Sequence, residues 1–491
     1  MKAELACVLT AALCLSACGS SQAPAGAPTA VSKASCGAGD SPEPGLQGQV
    51  SVADRRSGRS QQGYRCNLEL VGQYQGEGSS LVSPSFGDCA YLSTSSFGVG
   101  RKRSPGVQVI DAANPGQPVL SGTLTSPGML IGTWESLKVN EARKLLAGVA
   151  VGYVAGAGFI DLYDLSQDCA HPVHLNGLGG TPLQLPANLI GHEGNWSPDG
   201  RSYWSASTAG GSLTVIDVED PARPRILYTG LHGLPSNHGV EFSPDGNRAY
   251  LATGNPAGVL ILDVSDIQSR KAVPRIRQIS SLKWGTSSVA QHAVPVRYGP
   301  HSYLIVPDEF GAEGIRIIDI ADETRPEVLS RIQLEIQLPE NLRVRTQETA
   351  GNGIFGYESH YCTVDRRENP GALACGFVQA GVRVFDIRDP AKPREIAYFQ
   401  PPAQTLAKNR LPASDHAAGT GALPTISETN PEALMQELIN YLLYLADSSK
   451  ADLSTDWCTS PPRFVGDQLW VSCQDNGFMV LRFTNGAYPL P

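Results

Sequence analysis

The stretch 212–230, SLTVIDVEDPARPRILYTG, decides the fold. An apolar run ends at Asp217, a polar turn carrying Pro221 and Pro224 follows, and a second extended run leaves it. Apolar, β-branched runs bounded by such a turn read as two antiparallel strands. The same unit returns as GVQVIDAANPGQPVLSGTL (106–124), GFIDLYDLSQDCAHPVHL (158–175), GVLILDVSDIQSRKAVPRI (258–276), GIRIIDIADETRPEVLSRI (314–332) and GVRVFDIRDPAKPREIAYF (381–399). Its strand-ending acids are Asp111, Asp164, Asp217, Asp263, Asp319 and Asp386. A carboxylate at that position can accept from backbone amides of the turn, which fixes the bend.

Two further strands precede each unit. GHEGNWS and SYWSAS flank Pro198-Asp199-Gly200; NHGVEFS and AYLAT flank Pro244-Asp245-Gly246. Four strands per repeat, A to D in chain order, are the content of one propeller blade. The expected fold is all-β: a seven-bladed β-propeller over 61–491. NLELVGQY (67–74) reads as a D strand without its blade, and the chain finishes with A, B and C strands DWCTS, LWVSCQ and GFMVLRF. Pairing these ends closes the last blade and leaves no open seam.

The runs VQVID, LTVIDVEDP, LILDVSD, IRIIDIAD and VRVFDIRDP resemble the LVIVD-repeat family of bacterial surface and periplasmic propellers. The resemblance covers the chain from about residue 66 onward and implies architecture; by itself it implies no chemistry.

The chain's start speaks to compartment. MKAELACVLTAALCLSAC has a Lys, then an apolar run too short to span a bilayer, then Leu15-Ser16-Ala17-Cys18. The last four residues resemble the bacterial lipobox, which implies a signal peptide over 1–17 and acylation (palmitate) of Cys18. Gly19 is not the Asp of inner-membrane retention, so the resemblance implies an outer-membrane lipoprotein facing the periplasm or the outside. Residues 18–60, rich in Ser, Ala, Gly and Pro, are expected as a flexible tether. The net charge of −9 argues against nucleic acid as a partner.

Eight cysteines follow Cys18, an even number in an exported chain, which suggests disulfides. Cys362 with Cys375, and Cys458 with Cys473, flank hairpin turns and would face each other across their strands. The pairing of Cys36, Cys66, Cys89 and Cys169 stays open, with Cys36–Cys66 and Cys89–Cys169 as one partition. No cysteine spacing is a zinc pattern.

Only nine histidines occur, and His192, His238, His292 and His360 share one column when the A strands are aligned, 25, 25, 27 and 26 residues before the blade's Asp. A-strand starts lie at one mouth of a propeller's central channel, so four imidazoles there suit iron, copper or zinc. Carotenoid cleavage oxygenases and selenium-binding-protein-type thiol oxidases are similar in geometry, holding a metal with axial histidines in a propeller. Glu193, Glu241 and Glu358 are expected as carboxylates behind the imidazoles, and Glu135, in the same column of the second repeat, as either another of these or a fifth ligand. Of the remaining histidines, His232 is expected at the same mouth, and the others, among them His416 in an insertion, read as solvated. Asp308 and Glu309 follow a B strand and could bind a cation, with a solvated loop the preferred reading.

The insertion spans 401–455. Its segment 431–448 has Thr429 or Asn430 as cap, Pro431 and an apolar stripe, and reads as a helix over the channel mouth or on the rim. No nucleophile elbow, phosphate loop or dinucleotide fingerprint is present. Two readings follow: a metal-binding propeller with oxidoreductase chemistry on a small molecule at the channel mouth, or a non-catalytic scaffold binding a protein or polymer in the envelope.

Overall fold

The computed structural model describes residues 28–95, 102–150, 158–184, 191–208, 210–285, 288–349, 355–407, 410–418 and 452–490. The leader 1–17, Cys18 and the helix expected at 431–448 lie outside the described residues. The chain is a β-propeller of consecutive antiparallel meanders, with few and short helices among the described residues. Glu193–Trp196, Ser202–Ala206, Ser212–Asp217 and Arg225–Leu231 form one four-stranded meander, in that order. Ser236–Phe242 and Val294–Tyr298 open the next two, which short strand Val289–Ala290 joins into one nine-stranded sheet. Leu68–Tyr74 pairs antiparallel with Gly477–Phe483, so the first long strand completes the last sheet.

Each repeated Asp accepts from the amide two residues on, from Asp111 to Ala113 (2.9 Å) through Asp319 to Ala321 (2.8 Å). A register shift recurs at the same place between C and D strands, at Val215/Ile216, Ile261/Leu262, Ile317/Ile318 and Val384/Phe385. Such bulges increase twist, which lets each meander lie against the next. The core sits between neighbouring meanders. Trp204 and Val215 pack on Val240, Phe242 and Leu251, and Ala90 and Ile110 of the first meander pack on Trp470 and Val480 of the last.

Residues 28–60 are not a tether over their described part. Cys36 is bonded to Cys66, Val31 donates to the Gln333 carbonyl, and Val50 is buried. Arg383, fully buried, holds Glu43 (2.6 Å) and Glu395 (2.9 Å), and Gln47 also bonds Glu395. The segment has little apolar area, so burial alone would not order it; the disulfide and this buried charge network do. The other three disulfides are Cys89–Cys169, Cys362–Cys375 and Cys458–Cys473.

Candidate metal centre

Bulges at the A strands aim the histidines. The pairing register skips between Asn237 and Val240, and again between Ser359 and Cys362, so His238 and His360 fall outside the regular alternation. Their rings, with His192 from the preceding meander, meet two carboxylates. His238 Nε2 is 3.8 Å from Glu135 and 3.2 Å from Glu309; His360 Nε2 is 3.4 Å from Glu135 and 3.5 Å from Glu309. His192 Nε2 is 3.7 Å from Glu135.

The outer ring nitrogens fix the tautomers. His238 Nδ1 faces the Glu193 carboxylate (2.9 Å) and the Gln291 carbonyl (3.0 Å), and His360 Nδ1 faces the Thr459 carbonyl (2.8 Å). Carbonyl oxygens only accept, so each Nδ1 carries a proton and the neutral imidazole presents its Nε2 lone pair to the centre. The Nε2 atoms of His192, His238 and His360 and Oε1 of Glu135 are buried and have no hydrogen-bond partner. Buried polar atoms without partners are costly and call for an explanation. Two donors bound at about 2.0–2.2 Å to one ion, about 90–120° apart, lie about 2.8–3.8 Å from each other. The donor separations here fall in or close to that window. The donors fall into two triads that share Glu135, one with His192 and His238 and one with Glu309 and His360, each with its donor atoms within 4.8 Å of one another; imidazole and carboxylate together are a donor mix that suits a transition ion such as iron, zinc or copper.

Without an ion the cluster is an ion-pair knot. Burial opposes charge on every member, but the facing partners prevail. Glu135, Glu193 and Glu309 hold His238 well above the ordinary imidazole range, and Glu135 and Glu309 push His360 up to about 10. The imidazoles hold Glu135 well below the usual carboxylate range. A divalent ion would replace these protons.

The structure departs from the sequence expectations at several residues. His292 does not join the cluster. Its ring stacks on Tyr361 (4.6 Å) and its Nε2 faces the Cys362 backbone, while Gln291, one residue earlier, reaches Glu135 (2.7 Å). In an extended chain one residue turns a side chain to the other face, and the A strand here is interrupted at 291–293. Of the two places open to Glu135, the structure puts it among the central donors rather than behind the imidazoles. Glu193 does stand behind an imidazole, that of the next meander's His238.

Glu241 is apart from the cluster, paired with Arg367 (3.1 Å), and lines a cavity of about 1190 Å³ that none of the central donors lines. Glu358 bonds the Gly356 amide (2.8 Å) rather than an imidazole, and burial pushes it up to about 7. Of the two readings of PDEFG, cation site or solvated loop, the structure does not support the loop for Glu309: strand His301–Glu309 runs on to the acid and delivers it, buried, to the centre. Asp308 is buried as well and paired with Arg316. The signal was an acid ending an otherwise apolar strand at the level of the histidines.

His416 is also buried rather than solvated, 2.7 Å from Asp475 and stacked on Trp457. Asp456 beside it is engaged by the Asp475 and Asn476 amides, so this second group reads as a structural anchor.

No family model matches the chain, and no curated protein does. Among solved structures, a Lactobacillus plantarum protein is 13% identical, with 67% of this chain and 89% of that one covered and a TM-score of 0.45. A putative 6-phosphogluconolactonase from Bacteroides fragilis is 13% identical over 65% of this chain and 83% of its own, TM-score 0.44. The Pseudomonas aeruginosa periplasmic gluconolactonase is 16% identical over 69% and 83%, TM-score 0.42. Likeness this distant does not carry activity from those proteins to this chain.

Proposed function

We propose that this chain is a metal-binding propeller lipoprotein of the cell envelope, akin to the LVIVD-repeat proteins. His192, His238, His360, Glu135 and Glu309 hold an iron, copper or zinc ion on the axis of a closed, seven-bladed ring. The observation that carries the reading is the convergence on Glu135 of three buried imidazole Nε2 atoms that make no hydrogen bond. Two features support the ring. The chain's first long strand pairs with its last, and apolar clusters join each meander to the next, including the last to the first. Anchoring at Cys18 rests on the lipobox resemblance, and four disulfides agree with an oxidising compartment.

A bound ion would polarise or activate a small molecule, which makes oxidoreductase chemistry the reading for iron or copper. The chain's own residues prepare that site. Glu193 and the Thr459 carbonyl orient imidazoles, Gln291 donates to Glu135, and burial excludes water. Elemental analysis of the purified protein beside His238→Ala tests the reading. Near-stoichiometric metal, lost in a folded variant, is expected; no metal in the parent even after reconstitution would overturn it.

A further inference from the structure

The two central carboxylates face the imidazoles through different oxygens. His238 Nε2 lies nearest Oε2 of both acids, 3.8 Å from Glu135 and 3.2 Å from Glu309. His360 Nε2 lies nearest Oε1 of both, 3.4 Å from Glu135 and 3.5 Å from Glu309. A single ion held by one oxygen of each acid would draw both imidazoles to that same oxygen. Opposite oxygens are what two ions need when each carboxylate spans them, one oxygen to each ion. All four separations lie within the about 2.8–3.8 Å of neighbouring donors on one ion. His238 and His360 are 1% and 0% exposed, and the Nε2 atom of each makes no hydrogen bond, so two buried lone pairs each call for a partner.

The two triads share only Glu135 and differ in chemistry. His192, His238 and Glu135 offer two imidazoles and one carboxylate; His360, Glu135 and Glu309 offer one imidazole and two carboxylates. Imidazole suits zinc, copper and iron, whereas carboxylate suits harder ions such as manganese.

We propose that the centre holds two divalent ions side by side, spanned by Glu135 and Glu309. A transition ion sits on His192 and His238, and a second, harder ion of the manganese(II) class sits on His360. This deepens the metal reading and rests on it. The imidazole-rich position fills first, and the carboxylate-rich one fills beside it.

The test uses the full chain, stripped with a chelator, loaded with one equivalent of zinc and titrated with Mn(II), the free manganese being read by EPR. One saturable Mn(II) per chain is expected, with the zinc retained. Glu309→Gln has one side-chain oxygen and serves one ion only. It should keep its zinc and bind Mn(II) at least about tenfold more weakly, since even the loss of an outer partner costs that much. If the variant does not fold, the parent's own count decides. Zinc bound without saturable Mn(II), Mn(II) displacing zinc one for one, or equal Mn(II) affinity in the folded variant would overturn the pair while a single-ion site stands. A chain that takes up neither ion would overturn the pair and the metal reading together.

Discussion

Glu193 gives the sharpest test of how the centre is held. Its carboxylate accepts from His238 Nδ1 at 2.9 Å, and its other oxygen lies 3.7 Å from the Lys138 ammonium. Removing an outer partner of a metal-bound imidazole costs about ten- to a hundredfold in metal affinity. The Gln291 carbonyl, 3.0 Å from the same nitrogen, stays behind as a second acceptor, which puts Glu193→Ala at the low end. The expected loss is about tenfold, or about 1.4 kcal/mol.

That magnitude selects the assay. With metal at a hundred times its Kd, binding stabilises the fold by about 2.7 kcal/mol, and a tenfold weaker site still supplies about 1.4. For a chain of this size the difference moves Tm by only about 1–2 °C. Competition against a chelator of known affinity reads the tenfold directly. Glu193→Gln, whose amide oxygen can still accept, should fall between parent and Ala variant. Glu241→Ala is the control, since that carboxylate is engaged by Arg367 and should leave affinity unchanged. Glu193→Ala within twofold of the parent would refute the orienting role.

Three further outcomes follow from the geometry. His292→Phe keeps a ring on Tyr361 and should retain full metal content by elemental analysis, whereas His360→Ala should lose it; metal loss in His292→Phe would place that imidazole in the centre after all. Replacing Cys89 and Cys169 by Ser reopens an 80-residue separation and should lower stability in guanidinium by about 4.5 kcal/mol on chain entropy; a loss under 1 kcal/mol, about what an ordinary substitution costs, would mean the bridge constrains little. Burial lowers the pKa of His416, but its Asp475 partner more than offsets this and raises it above 6.5. A raised imidazole stabilises fully below pH 6.5 and loses that contribution as pH rises through the folded value. Urea unfolding across that range should therefore show an alkaline decline in the parent that His416→Asn lacks; identical profiles would sever the Asp475 link.

What could be read from the chain alone was what repeats locally. Six strand–Asp–turn units specify antiparallel meanders, because an alternating apolar run and a carboxylate two residues before an amide are short-range features. Cys362 and Cys375 were legible for the same reason, as they stand directly opposite in one hairpin. The column of histidines was legible too, since repeats put equivalent residues at equivalent positions. Which rings converge was not. Bulges of one or two residues aim His238 and His360 inward, while an interruption at 291–293 sends Gln291 in place of His292. Glu135 and Glu309 become partners across 174 residues only when their sheets pack around a common axis. Residues 28–60 likewise lack the apolar area to order themselves, and their fold depends on Arg383 and Cys66, supplied from elsewhere. Position along a strand is a local property; the direction in which a donor atom points, and what it meets, is settled only by register and by packing between distant segments.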